Sequence, residues 1–150
     1  GLFDISEANK PLLPKSVLFL CNQNAVCSPM AKALAEKHCK RRLYIDSAGL
    51  IAGSLDPFSI ATMAEEGLNI EDHAAKTLAE IDLPKFDLII ALTEESRDRA
   101  AKLASADTTV EYWVTPDPSD SEGNRNQVMD SYRLVRDHLE CRIADRFMFE

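Results

Sequence analysis

The sequence is short of the residues that build disulfide-bonded, zinc-binding or membrane-spanning proteins. Only four of its 150 residues are Cys, which are too few and too scattered for a disulfide-rich scaffold. None of them forms a Cys-x-x-Cys pair beside His ligands, so no structural zinc site is expected. No apolar run approaches the length that spans a bilayer, and no signal-peptide pattern opens the chain.

Positive charge is also scarce. The chain has 17 Lys and Arg residues against 25 Asp and Glu residues, and its net charge is -8. Nucleic acids and anionic membranes are bound through basic surfaces, so we expect neither as a general partner. The apolar content of 45% and the charged content of 28% are ordinary for a globular protein. These totals predict a cytoplasmic protein whose chain folds around one core.

Apolar strand-like segments alternate with helix-like segments along most of the chain. The predicted strands are Ser16–Leu20, Leu43–Asp46, Phe86–Leu92 and Thr109–Trp113. The predicted helices run from Pro29 to Lys40, from Pro57 to Gly67 with Asp56 as N-cap, from the N-cap Thr93 to Ala104, and from Gln127 to Phe147 with Tyr132 on its core face. This order predicts a single three-layer α/β domain over residues 16–150, with a four-stranded parallel sheet and helices on both faces. Residues 1–15 are predicted to be an N-terminal arm that docks through Leu2, Phe3 or Leu12.

The loop between the first strand and the first helix is the strongest candidate site. Cys21 ends the strand, and Ser28 and Pro29 suit the N-cap and first position of the helix that follows. Free backbone N–H groups and the positive end of a helix dipole make such a loop an anion site. The same field favours the thiolate form of Cys21, which would then be a nucleophile. A buried cysteine at a strand end is the alternative interpretation.

These residues resemble the low-molecular-weight protein tyrosine phosphatase family, including its arsenate-reductase-like bacterial branch. The family pattern is a strand followed by Cys, five residues, Arg, Ser and Pro, and Cys21, Asn24, Ser28 and Pro29 occupy matching positions. Cys27 stands where the family has Arg. The resemblance implies a phosphate-binding loop after strand one, formed by Asn22, Gln23, Asn24, Ala25, Val26, Cys27 and Ser28.

The resemblance continues to Phe147 and implies roles for three further residues. Ser47, in the segment Ser-Ala-Gly, and His73 match family residues that support the loop, as Asn24 does. Asp117, which precedes Pro118, matches the general acid. From the residues alone, Asp117 and Asn24 also suit turns, and His73 suits a purely structural role.

The family mechanism begins with attack of the Cys21 thiolate on phosphorus. Asp117 would protonate the leaving oxygen and later accept a proton from the attacking water. The implied partner is a phosphate-like anion or a phosphorylated substrate, and no metal or other cofactor is implied.

Cys27 changes what this resemblance implies, because a thiol cannot grip two phosphate oxygens as an arginine does. The main hypothesis is a cysteine-dependent phosphatase with strongly impaired activity. One alternative is a non-catalytic pseudophosphatase that binds an anion or a protein partner. Another is a thiol-redox or arsenate-reductase-like protein that uses Cys21 and Cys27.

Two further expectations concern the surroundings of the loop. Arg97, Arg99 and Arg125 are the candidates to replace the missing charge, and Arg125 is favoured because it lies in the loop of the general acid. Tyrosine-specific members of the family have aromatic residues after Ser-Ala-Gly and after Asp-Pro. This chain has Leu50, Ile51, Ser119 and Asp120 there, so we expect no aromatic wall for a phosphotyrosine ring.

Overall fold

The computed structural model describes residues 13–39 and 43–147, which form a parallel sheet of four strands in the order β2-β1-β3-β4. The strands are β1 (Ser16–Cys21), β2 (Tyr44–Gly49), β3 (Leu88–Ala91) and β4 (Thr109–Tyr112). β1 pairs with β2 on one side and with β3 on the other. The connection from β1 to β2 and the connection from β2 to β3 therefore run in opposite directions across the sheet. The carboxyl end of β1 lies at this switch point, where open α/β sheets bind ligands.

Helices follow each strand, and two of them begin at capping residues that the sequence predicts. The helices are α1 (Cys27–Cys39), α2 (Pro57–Ala64), α3 (Glu94–Leu103) and α4 (Arg125–Phe147). Asp56 caps α2 by accepting a 2.8 Å hydrogen bond from the Phe58 N–H, and Thr93 caps α3 by accepting one of 3.1 Å from the Ser96 N–H. Both predicted caps are confirmed.

The sheet is buried on both faces. On β1, Val17 and Phe19 point into a cluster with side chains of α1 and α4. Leu18 and Leu20 point into a second cluster that includes Ala100 of α3. Successive strand residues face opposite sides, so every residue of β1 is buried, as expected for a central parallel strand. The predicted α/β fold, with helices on both faces of a four-stranded parallel sheet, is confirmed.

Several predicted element boundaries are wrong. α1 begins at Cys27, two residues before the predicted start, and the Ser28 hydroxyl contacts the Cys21 sulfur instead of capping the helix. β2 extends through Gly49, so the Ser-Ala-Gly segment belongs to the strand. The extension is fixed by pairing, because Gly49 lies in register with Cys21 at the end of β1.

The predicted N-terminal arm falls largely outside the described residues. Leu2, Phe3 and Leu12, through which it would dock, are not among them, and the division of the chain at residue 15 stays a prediction. Within residues 13–39 and 43–147, no helix has both the length and the apolar character needed to cross a membrane.

Candidate active site

The loop after β1 is held by hydrogen bonds to its carbonyl groups. All six carbonyls from Cys21 to Val26 accept a bond; in order, the donors are the N–H groups of Leu50, Ile51 and Gly53, His73 Nε2, the Asp56 N–H and Ser59 Oγ, over 2.9–3.3 Å. In a planar trans peptide the next N–H points away from the carbonyl. The N–H groups of residues 22–27 therefore point away from these donors. A loop that presents successive N–H groups in this way can bind an anion as a nest.

Asn24 fixes the shape of this loop. Its backbone adopts φ 53°, the left-handed conformation that Asn tolerates better than most residues. Its side-chain nitrogen donates to the hydroxyls of Ser28 and Ser47, each over 2.9 Å, and its side-chain oxygen accepts from the Lys76 N–H over 3.0 Å. His73 Nε2 donates to the Asn24 carbonyl over 3.0 Å. The structure thus brings together Asn24, Ser47 and His73, which the resemblance implies as loop supports.

His73 is half-buried beneath the loop. Burial lowers the pKa of its imidazole below the ordinary value, and the neighbouring Lys32 and Lys76 lower it further, while the bond to the Asn24 carbonyl and the charge of Asp46 oppose the shift. The neutral ring, protonated on Nε2, satisfies the carbonyl of Asn24.

The Cys21 thiol is buried at the base of the loop. Its sulfur lies 2.9 Å from Ser28 Oγ and accepts a 3.3 Å hydrogen bond from the Asn24 N–H. Since Ser28 Oγ already accepts from the Asn24 side chain, its own hydrogen is available to the Cys21 sulfur. Both contacts can stabilise an anionic sulfur, which is the form that attacks an electrophile.

Cys21 and Asp117 line the same pocket, which has a volume of about 550 Å³. The loop forms its floor through Asn22, Gln23, Ala25, Val26 and Cys27. Asp117 is exposed, and one of its oxygens accepts bonds from the Ser119 N–H at 2.9 Å and from the Ser119 hydroxyl at 2.6 Å. These bonds orient the carboxyl at the carboxyl-terminal side of the sheet. A candidate nucleophile and a candidate proton donor thus share one pocket.

Cys27 is a buried free thiol in the floor of this pocket. Burial raises the pKa of its thiol, and the negative charges of Cys21, Asp117 and Asp56 raise it further. Cys27 is therefore neutral at physiological pH. The position that carries Arg in the family pattern supplies no positive charge here.

None of the three candidate arginines lines the pocket, and the described lining residues include no Lys, Arg or His. Arg97 pairs with Asp98 at 3.0 Å and lies over the ring of Tyr112. Arg99 is exposed on α3. The Arg125 guanidinium lies 5.6 Å from the ring centroid of Phe58, which is a lining residue. Of the three candidate arginines, Arg125 is therefore the one that the described contacts place beside the pocket.

The expectation that the pocket has no aromatic wall is wrong. Phe58 and Tyr132 both line it, with ring centroids 5.4 Å apart. Burial raises the pKa of the Tyr132 hydroxyl, which donates a short bond to Asp56. Of the four residues that stand where tyrosine-specific members have aromatic side chains, Ser119 lines the pocket. Ile51 is mostly exposed, and Leu50 packs against the core.

Sequence comparison identifies relatives of the whole domain. A profile of the low molecular weight phosphotyrosine protein phosphatase family matches residues 16–146. An arsenate reductase of Bacillus licheniformis is 30% identical over 129 residues, which cover 86% of this chain and 92% of that protein.

Structural comparison gives the same picture of the fold. An arsenate reductase of Archaeoglobus fulgidus superposes with a TM-score of 0.72 at 28% identity, covering 89% of this chain and 99% of that one. The tyrosine phosphatase amsI of Erwinia amylovora superposes with a TM-score of 0.75 at 23% identity, covering 93% and 94%. At that identity the second match supports the fold alone.

Proposed function

Because this chain belongs to the low molecular weight phosphotyrosine protein phosphatase family, we propose that it binds phosphate-like oxyanions in the loop at residues 21–28 and hydrolyses phosphomonoesters slowly through Cys21. The observation that carries this proposal is the placement of Cys21 and Asp117 in the lining of one pocket whose floor is a loop with all its carbonyl groups from Cys21 to Val26 already bonded.

The reaction proceeds in two displacements. The Cys21 thiolate attacks phosphorus and forms an S–P bond while the P–O bond to the leaving group breaks, and Asp117 gives its proton to the departing oxygen. Water then attacks the cysteinyl-phosphate, Asp117 takes the proton, and inorganic phosphate leaves with Cys21 regenerated. The N–H groups of the loop stabilise the equatorial oxygens in both steps.

Cys27 makes this turnover slow. The pocket offers N–H dipoles but no full positive charge among its described lining residues, while Asp56 and Asp117 add negative charge. Removing even one donor from an oxyanion site typically costs about 100- to 1000-fold in rate. A charged, bidentate partner contributes at least as much.

The test is the Cys27→Arg substitution, assayed with p-nitrophenyl phosphate. We expect kcat/KM to rise by about 100-fold or more, because the added guanidinium neutralises the transferring group. Cys27→Gln is the matched control, since it fills similar space without charge, and it should leave the rate low. Cys21→Ser in the Cys27→Arg chain should abolish turnover. If Cys27→Arg is no faster than the native chain, hydrolysis is the wrong function and a non-catalytic anion- or protein-binding role replaces it.

A second candidate function is arsenate reduction, favoured by the presence of two free thiols in one pocket. Relatives named arsenate reductase also match most of the chain. In this reaction the Cys21 thiolate binds arsenic, and the Cys27 sulfur attacks the Cys21 sulfur. The S–S bond forms as the S–As bond breaks, so that two thiols are oxidised and As(V) is reduced to As(III). The raised pKa of Cys27 opposes this step, because the thiolate is the attacking form.

A single-turnover experiment separates the two functions. The reduced chain is mixed with arsenate, and arsenite and free thiols are counted. Reduction predicts one arsenite and the loss of two thiols per chain, with mass spectrometry locating the disulfide between Cys21 and Cys27. Cys27→Ser should abolish arsenite formation, whereas Cys39→Ser, which changes a cysteine at the far end of α1, should not. Unchanged thiols after incubation would exclude this candidate.

A further inference from the structure

Arg125 is a cation next to a wall residue of a pocket whose described lining includes no Lys, Arg or His. It is the first residue of α4 and is exposed, and its guanidinium lies over the face of Phe58. Phe58 lines the pocket beside Tyr132. An arginine on an aromatic face keeps its charge, and the N–H groups at its edge stay free to bind an anion.

Four of the other described arginines form ion pairs with acidic side chains. Arg97 pairs with Asp98, Arg133 and Arg136 pair with Glu65, and Arg146 pairs with Glu111. Arg125 forms no ion pair with any described residue, and its one described contact is with the ring of Phe58. No described acidic side chain therefore neutralises the charge of Arg125.

Binding of a phosphoryl group in this pocket requires a positive charge. The carboxylates of Asp56 and Asp117 line it, and the Cys21 thiolate adds a third negative group when the nucleophile is active. A phosphoryl group entering this pocket meets repulsion that the neutral Cys27 does not offset. Phe58 lines the pocket, so the 5.6 Å separation from its ring places the Arg125 guanidinium beside that pocket, on a side chain that is exposed.

We propose that Arg125 binds the phosphoryl group in place of the arginine that Cys27 replaces. The inference rests on the proposed phosphate chemistry and assigns its missing positive charge. Arg125 donates from its guanidinium edge to an equatorial phosphoryl oxygen and stays protonated throughout. The bonds made and broken are those of the Cys21 displacement and the hydrolysis that follows. The N–H dipoles of the loop thus contact the phosphoryl group at the pocket floor, and Arg125 of α4 contributes the positive charge at the pocket wall.

The experiment compares Arg125→Met with Arg142→Met. Arg142 is a matched control because it is also exposed on α4 and also lies over an aromatic ring, that of Trp113, at 4.8 Å. Trp113 does not line the pocket. Each change is made in the native chain and in the Cys27→Arg chain. The readouts are kcat/KM for p-nitrophenyl phosphate and the Kd of inorganic phosphate by calorimetry, so that slow turnover does not prevent a result.

In the native chain, Arg125→Met should lower kcat/KM and weaken phosphate binding by about tenfold or more, as expected for loss of a hydrogen bond to a charged group. Arg125→Lys should recover part of both, and Arg142→Met should change neither by more than about twofold. In the Cys27→Arg chain, where the loop has its own charge, Arg125→Met should cost less than about twofold.

Two comparisons between variants would overturn the role of Arg125. One is an equal effect of Arg125→Met and Arg142→Met on the native chain. The other is an equal loss in both backgrounds, which would indicate a structural role. Absence of measurable phosphate binding by the native chain also counts against it. Failure of Cys27→Arg to raise turnover would instead refute the hydrolase function, while the phosphate Kd values still decide whether Arg125 binds the anion.

Discussion

The side-chain nitrogen of Asn24 donates a hydrogen bond to the hydroxyl of Ser47 over 2.9 Å, joining residues that are 23 positions apart. Both residues are fully buried. The bond ties the turn of the loop at residues 21–28 to β2, so the shape of the loop depends on the sheet beside it. The left-handed backbone of Asn24, at φ 53°, is held in place by this tie.

The Asn24→Ala substitution should therefore lower the stability of the fold and also weaken anion binding by the loop. It removes the bonds to Ser28, Ser47 and the Lys76 N–H, and leaves a residue with less tolerance for positive φ. We expect the free energy of unfolding to fall by about 2 kcal/mol or more, measured by urea denaturation. Asn126→Ala, an exposed change on α4, is the control and should have little effect. Equal stabilities for the two variants would contradict this account of the loop.

A methyl group at Gly49 should disturb the loop from the opposite side. A Cβ built there lies 2.6 Å from the Asn24 nitrogen and 2.6 Å from the Ile51 carbonyl oxygen, and both are backbone atoms. Gly49→Ala should lower the melting temperature and weaken the binding of inorganic phosphate, since overpacking typically costs about 1–3 kcal/mol. At Gly53 the nearest atom is the Gln23 side-chain oxygen, which can move. Gly53→Ala should accordingly be milder, and the reverse order would show that β2 does not support the loop.

Local sequence signals were enough to predict the elements that frame the candidate site. The apolar run into Cys21 and the caps at Asp56 and Thr93 are features of neighbouring residues, and each predicts an element that the structure contains. Ser28 shows the limit of such signals. Ser28 does favour N-cap positions, but the buried partners Cys21 and Asn24 compete for its hydroxyl, and the helix begins at Cys27, two residues before the predicted start.

The walls of the pocket could not be predicted in the same way. Helical periodicity correctly assigns Tyr132 to the buried face of α4 but does not say which element that face meets. Tyr132 meets Asp56 across 76 residues of sequence, and this contact brings Phe58 to the pocket. The donors to the loop carbonyls are mostly backbone N–H groups, which any side chain would provide equally. The amino-acid pattern therefore carries little signal for them.

The role proposed for Asp117 predicts a dependence on the leaving group. Asn at this position keeps an oxygen for the bonds from Ser119 but has no acidic proton to transfer to the leaving group. In the Cys27→Arg chain, Asp117→Asn should lower kcat for phenyl phosphate by about 100-fold or more, because phenolate leaves poorly without a proton. The loss should be smaller for p-nitrophenyl phosphate. Asp120→Asn is the control, and an equal loss on both substrates would argue against proton donation by Asp117.

The lowered pKa of His73 predicts how stability changes with pH. The folded chain holds the imidazole pKa below its ordinary value of 6.5, so between the two values the unfolded chain binds more protons than the folded one. The contribution of His73 to stability is therefore complete above about pH 6.5 and is lost as the pH falls through the lowered pKa. We expect urea unfolding to show a larger loss of stability from pH 7.5 to pH 5 in the native chain than in His73→Gln.

Gln is the informative replacement because its amide can still donate to the Asn24 carbonyl but does not titrate. The difference between the native chain and His73→Gln therefore isolates the imidazole from the carboxyl groups that titrate in both. His138, which is exposed on α4, provides the control, and His138→Gln should keep the pH dependence of the native chain. If His73→Gln loses as much stability on acidification as the native chain does, the imidazole does not couple protonation to the support of the loop.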